Sequence, residues 1–461
     1  MYPAGGKRTI FTMWSSRMTF VLAGAGAAVG FNNFWQFPAL VYNNGGGAFI
    51  IVYLFCLLFL GWPLLSASFM IGRLGRDAPD GAFRRAAQQM RSDPSWSVVG
   101  AAAILAGFFI FSYLAVVSGW TIAFGVRAVT GAFSGLTADG VASVFTSLVT
   151  DPERQLFWYT LFIISIVVVT GRGLREGLER AARYAVPAMF ALLLVGLGYA
   201  FSTAEFPRAL SGVLMPDFAK LSWTGVLAAT GHAFFSLGLG AGTMFMLGAY
   251  LERDAPIGRL AWYVVLLDTV SGVIAAFAIY AILYSGGIEP ASGPTLIFQA
   301  LPLAFDHVPF GQVFLAMFFI LLIIVVWLSG LALFEPAVAW VVERFGWDRR
   351  RAALSVGMIA WAIAFVDALS FSTWSFSFRF FDEVKKFGVF DIFQLMTNHI
   401  LLPAVGITTA LFAGWVVRPD TAREELGMRS PCAFDVWLWT LRIAVPLALV
   451  AVASQLSKLY A

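Results

Sequence analysis

Residues 14–38 read WSSRMTFVLAGAGAAVGFNNFWQFP. The stretch is long and apolar enough to lie in a bilayer. Its centre, Gly24 to Asn33, is a poor continuous helix: glycine loosens helical backbone, and Asn32 and Asn33 place two amides in hydrocarbon. A membrane span tolerates unwound backbone only where that backbone lines a cavity or packs inside protein. A span broken at its midpoint, with polar side chains at the break, is how secondary transporters build a substrate and ion site.

The rest of the chain agrees with a membrane setting. Its 461 residues are 60% hydrophobic and 12% charged, more apolar surface than one soluble core of this length could hide. Met1–Phe11 is polar and basic, and the first apolar run is too long for a signal-peptide core. Cys56 and Cys432 lie far apart and suggest neither a disulfide nor a metal framework. The net charge of +4 is explained by basic loops beside a membrane rather than by nucleic-acid binding.

Apolar runs of spanning length recur near 14–40, 45–71, 97–127, 155–171, 182–202, 224–249, 259–285, 310–342, 352–370, 388–416 and 434–456. The expected fold is therefore an all-α integral membrane protein of about eleven transmembrane helices, in a single domain over 1–461. Roughly 21 of the 30 Lys and Arg fall on the side of Lys7 and Arg8, which makes that side cytoplasmic. The N-terminus is then inside and the C-terminus outside.

A second interrupted segment, Gly231 to Gly242, reads GHAFFSLGLGAG and falls in span six. Two glycine-broken spans, one and six, are the signature of a five-plus-five inverted repeat. The repeats cover about 14–202 and 224–416, with an additional helix at 434–456.

Trp14 to Pro38, followed by Asn44-Gly45-Gly46-Gly47-Ala48-Phe49, resembles the signature of the neurotransmitter:sodium symporter family. So do Gly231–Gly242, Gly293-Pro294-Thr295-Leu296-Ile297-Phe298 with Leu301-Pro302, Glu335-Pro336, and Leu401-Leu402-Pro403. The resemblance runs the length of the chain, in order, and eleven spans resemble the bacterial branch. It implies a leucine-transporter-type fold, alternating access, and sodium-driven uptake of an amino acid or amino-acid-like solute across the bacterial inner membrane. It also implies sodium as the coupling ion, and a monomer or weak homodimer in the lipid bilayer.

The resemblance assigns the first sodium site to Ala28, Asn33, Ser236 and Asp268, an all-oxygen set suited to a hard monovalent cation. A fixed anion at Asp268, with Gly272 where a chloride-ligating serine often sits, argues against a chloride requirement. The second sodium site falls on Gly26, Val29, Val325 and Ser329, and is weakened because Leu328 stands where the family has a side-chain oxygen. The substrate pocket falls on Ala27, Gly30, Phe31, Asn32, Ile110, Leu114, Phe235, Gly238, Ala241, Ser329, Gly330 and Leu333. Leu114 replaces the family's carboxylate-binding tyrosine, and Tyr113 beside it would need a helix bulge to substitute. Small residues at 238, 241 and 330 leave room for a ligand larger than the smallest amino acids.

The gates depart from the family as well. The outer charged pair is replaced by Gln36 and Gln394, which can still hydrogen-bond to each other. At the inner gate, Trp14 and Glu343 are kept, Phe11 replaces the usual arginine, and Arg8 is one turn earlier. Two other readings remain open. One is a non-transporting membrane sensor that retains the fold, which Leu328 and the altered inner gate favour. The other is a proton-coupled variant using His232. An enzyme is not expected, since no nucleophile–base pair, metal-spaced His/Cys cluster or phosphate loop is present.

Overall fold

The computed structural model describes residues 13–290, 293–380 and 383–454. Among them, nine helices are long and apolar enough to cross a bilayer. These are span two (Gly47–Gly75), three (Pro94–Val129), four (Pro152–Thr170), five (Leu174–Phe201) and seven (Ile257–Ser285). Spans eight (Gly311–Phe345), nine (Arg349–Leu369), ten (Val389–Val416) and eleven (Pro431–Ala453) complete the nine. The two remaining spans are each in two pieces. Span one consists of Arg17–Ala28 and Asn32–Asn43, and span six of Trp223–Phe235 and Thr243–Ala249.

Each face of these helices has a stated use. On span four, Tyr159, Phe162, Ile163 and Ile166 are buried, while Phe157, Leu161, Ile164 and Val168 are exposed at helical spacing. Both stripes are apolar because one meets protein and the other meets lipid. Helix starts are set by side-chain caps: Ser16 accepts from the Thr19 N–H, Ser222 from Gly225, and Asp151 from Glu153 and Arg154.

The Asn44–Gly47 turn explains its glycines. Gly45 and Gly46 have φ of 82° and 58°, and this turn bonds to residues 215–217 through Gly47 N to Met215 O and Asp217 N to Gly45 O. A Cβ at any of Gly45, Gly46 or Gly47 would run into the carbonyls of that neighbouring strand of chain.

Hydropathy did not reveal the elements that do not span. Short helices at Pro79–Gln89, Ala138–Val149, Phe206–Leu214, Leu301–Asp306 and Pro419–Leu426 lie in the connections. The all-α expectation also misses an antiparallel hairpin, Ser375–Phe380 with Glu383–Gly388, paired from Ser375–Gly388 to Phe380–Glu383. Its first strand alternates Ser and Phe, a period-two pattern that hydropathy windows of spanning length average away. It sits between spans nine and ten, at the end of the bundle opposite the arginine-rich loops.

Candidate functional site

Both broken helices open at glycine-containing sequence. In span one the interruption is short, Val29 to Phe31, and Val29 leaves the helix with φ −65° and ψ 91°. In span six it runs from Ser236 to Gly242, and Gly238, Gly240 and Gly242 all adopt positive φ, 61°, 85° and 82°. A side chain at those positions would be strained, so the unwinding depends on glycine.

Between the two breaks lies a cavity of about 250 Å³. Ala27, Gly30, Phe31 and Asn32 line it from span one, and Phe235, Gly238 and Ala241 from span six. Ile110 and Leu114 contribute from span three, and Ser329 and Leu333 from span eight. Gly330 does not belong to this lining, contrary to the sequence expectation. A Cβ there would come 2.6 Å from the Phe162 ring, so position 330 faces the seam with span four.

Tyr113 and Leu114 both line the cavity although span three is a continuous helix from Ser97 to Val129. The wall is broad enough to take both adjacent positions of one helix. The Tyr113 hydroxyl donates to Asn398 Oδ1 at 3.5 Å. Asn398 and His399 also line the cavity; they sit in a π-helical turn, Met396–Leu401, that interrupts span ten. Sequence reasoning passed over this polar wall because a π-turn has no hydropathy signature.

Beside the cavity, Asn33, Ser236 and Asp268 are buried at the junction of spans one, six and seven. Asn33 Nδ2 donates to Asp268 Oδ1 at 2.8 Å. That leaves Asn33 Oδ1, Asp268 Oδ2 and Ser236 Oγ without a hydrogen-bond partner among the described residues. Two of these atoms are pure acceptors. Unpaired buried acceptors next to a carboxylate are costly unless a cation meets them. An all-oxygen donor set with one carboxylate fits a hard monovalent ion. The Ala28 position lines the cavity at the edge of this cluster. The Tyr53 hydroxyl of span two also faces Asp268 and Ser236; the sequence reading passed over it.

The positions of the second sodium set are apolar in contact. Val29 and Val325 are buried, and both δ-carbons of Leu328 lie 3.4 Å from where a Gly26 Cβ would stand. Leucine methyl groups therefore fill the gap against the Gly26 backbone. Among the described residues Ser329 Oγ has no hydrogen-bond partner, but it lines the substrate cavity, 3.9 Å from a Cβ built on Gly30.

His232 does not line the cavity. It is buried, stacked on Phe37 with ring centroids 5.3 Å apart, and packs beside Tyr53. Its surroundings are those of a packed core side chain.

At one end of the cavity lie Gln36 and Gln394. They share the wall, but among the described residues no hydrogen bond joins them. At the arginine-rich end the path is sealed. Trp14 is buried, and its Nε1 donates to Leu247 O at 3.2 Å. The Ser15 N–H and hydroxyl both bond the Glu179 carboxylate, which also accepts from Arg183 at 3.0 Å. Glu343, the expected acidic gate residue, instead neighbours Asp77 and Arg85. Arg8 and Phe11 lie outside the described residues. The seal thus rests on Glu179 of span five, a residue the sequence analysis does not single out.

A family model described as the sodium:neurotransmitter symporter family matches residues 12–137 and 155–458. An uncharacterised sodium-dependent transporter of Bacillus subtilis is 28% identical over 95% of this chain and 96% of its own. Another, from Haemophilus influenzae, is 29% identical over 95% of this chain and 96% of its own. The crystal structure of MhsT in complex with L-phenylalanine superposes with a TM-score of 0.85 at 31% identity, covering 96% of this chain and 98% of that one. Two broken helices around a cavity, an oxygen cluster beside it, and a match over nearly the full length have one reading: this chain belongs to the sodium:neurotransmitter symporter family, as a membrane-embedded, sodium-dependent symporter and not an enzyme.

Proposed function

We propose that the chain imports an amino acid or amino-acid-like solute into the cytoplasm, driven by one sodium ion. The observation that carries this reading is the orphaned trio Asn33 Oδ1, Ser236 Oγ and Asp268 Oδ2 at the junction of both broken helices. An ion there holds spans one, six and seven in one arrangement around the cavity. Sodium and solute then favour the same arrangement, which is the condition for coupling. The cavity floor of Ala27, Ile110, Leu114, Phe235, Ala241 and Leu333 is apolar and roomy, and suits a large apolar side chain. MhsT, with a similar fold, is known in complex with L-phenylalanine. The substrate's polar end is placed at the span-one break, beside Asn32 and the sodium ion.

The arginine-rich end is taken as cytoplasmic, which puts the Gln36 and Gln394 end outside. Chloride is not expected to be needed, because Asp268 supplies the fixed anion. The protein is expected to work as a monomer or weak homodimer. Uptake by proteoliposomes holding the purified chain, with labelled amino acids and an inward sodium gradient, tests the proposal. Uptake that proceeds equally with choline in place of sodium would overturn it.

Ion number follows from Leu328. With methyl groups where the second ion needs an oxygen, sodium activates uptake without cooperativity, at a Hill coefficient near one. Leu328→Thr returns an oxygen to a wall already holding the Val325 and Val29 carbonyl positions, and should raise the coefficient. A cooperative wild-type curve, unchanged by Leu328→Thr, would show that the second site survives.

The outer gate gives a further expected result. Gln36→Arg alone puts an unpaired cation over the cavity mouth, and Gln394→Asp alone an unpaired anion. The double variant restores a pair. Uptake across the four proteins should show a coupling energy of about 1 kcal/mol or more. Additive effects would show that the two positions do not meet when the gate closes.

A further inference from the structure

Behind the cavity wall, where spans three, four and nine meet, lies Asp367. It is 0% exposed and stands two residues before the end of span nine. Among the described residues, neither of its carboxylate oxygens has a hydrogen-bond partner. Tyr159 of span four is also 0% exposed, its hydroxyl has no partner either, and it lies within electrostatic reach of Asp367.

The polar groups around Asp367 are occupied elsewhere. Gln155 Nε2 donates to Val149 O at 2.7 Å and to Ala368 O at 3.3 Å, and its Oε1 accepts from Trp120 at 2.9 Å. The Ser370 hydroxyl accepts from the Phe390 N–H at 3.0 Å. The titratable groups within electrostatic reach of Asp367 are Tyr159 from span four and Tyr113 from span three. Among the described residues, no Lys, Arg or His of spans three, four, eight or ten pairs with it.

A bare carboxylate in this place has three penalties. It is out of water, it has no donor, and it sits at the negative end of a helix dipole. One positive charge removes all three. Asp367 Oδ1 and Oδ2 with Tyr159 Oη offer oxygen only, and with a single acid the demand is for one charge rather than two. Among the described residues no group of three or more metal-binding side chains exists to hold a divalent ion.

We propose that Asp367 and Tyr159 form a second cation site, distinct from the Asp268 cluster, which takes a single monovalent charge: a proton or an alkali cation. Its occupancy is communicated to the cavity through Tyr113, which lines the cavity and lies within electrostatic reach of Asp367. The site does not depend on the sodium assignment at Asp268.

Infrared difference spectroscopy on the purified full-length protein tests this. The probes are choline, sodium and potassium chloride, from mildly acidic to mildly alkaline pH. In choline, a protonated-carboxyl C=O band should be present, be lost in Asp367→Asn and persist in Asp268→Asn. Persistence of that band in sodium and potassium identifies a proton as the occupant. Its conversion to a carboxylate band on adding either salt identifies an alkali cation. Tyr159→Phe keeps the carboxyl and should shift the band, so it decides the matter even if Asp367→Asn does not fold. A choline spectrum unchanged by Asp367→Asn, or a carboxyl band unmoved by Tyr159→Phe, would overturn the proposal. Retained sodium affinity in Asp268→Asn would sink the first sodium site while leaving this one standing.

Discussion

Asp268→Asn raises the sodium dissociation constant about 30-fold or more. Asp268 supplies the one formal negative charge of the orphaned oxygen cluster, and it is fully buried. Removing one partner of a buried, hydrogen-bonded charge pair costs about 2–5 kcal/mol, and each 1.4 kcal/mol is tenfold in affinity. The substitution nearly preserves shape, so Asn33 Nδ2 can still donate to an oxygen at position 268, and the fold should survive. The loss is then one of charge. Sodium binding by calorimetry on wild type and variant reads it directly. A second arm adds chloride. If Asp268 stands in for a mobile anion, chloride should recover part of the lost sodium affinity in the variant and do nothing to wild type. Unchanged sodium affinity in Asp268→Asn would remove Asp268 from the ion site.

The breaks were legible because they violate the rule for their surroundings. Glycine and asparagine inside an apolar run contradict a plain span, and at Val29–Phe31 and Ser236–Gly242 the helix does stop. Spanning helices were legible from hydropathy alone, since a bilayer demands length and apolarity together. What hydropathy cannot give is which side of a helix faces which neighbour. Gly330 and Ser329 are adjacent in an apolar run, yet one meets Phe162 and the other the cavity. Tyr53 meets Asp268, and Glu179 meets Ser15, over long sequence separations that hydropathy cannot show. Asn398 and His399 reach the wall through a π-turn, a backbone choice that residue type does not announce. The 375–388 hairpin was lost for the opposite reason: its alternation is visible, but it is short and lies between two spans.

The arginine-rich end contains a buried pair whose removal should have the largest effect on stability. Glu335 of span eight is 1% exposed and is bonded by Arg349, the first residue of span nine. Tyr250, at the end of span six, donates to the same carboxylate at 2.6 Å, and Arg349 Nε donates to Thr170 O of span four at 2.9 Å. The carboxylate thus fastens spans six, eight and nine, and Arg349 ties them to span four. Glu335→Met leaves the Arg349 cation three-quarters buried without its anion, and should cost about 3–5 kcal/mol. Arg349 keeps 23% of its side chain in solvent, which puts the loss toward the lower end of that range. Arg349→Met leaves a buried carboxylate supported by Tyr250, and should cost somewhat less. Removing both at once strands neither charge. Buried ion pairs replaced by apolar side chains of similar size are often neutral in stability. Glu335→Met with Arg349→Met should therefore unfold close to the wild-type temperature in a detergent thermal melt, well above either single variant. The same double variant loses the fastening between spans six, eight and nine, so it should favour the conformation open at the arginine-rich end. A cysteine placed beside the Trp14 seal would then be labelled faster by a membrane-impermeant maleimide than in wild type. Additive losses in the melt, with the double variant least stable of all, would show that Glu335 and Arg349 stabilise the bundle separately and that no latch joins them.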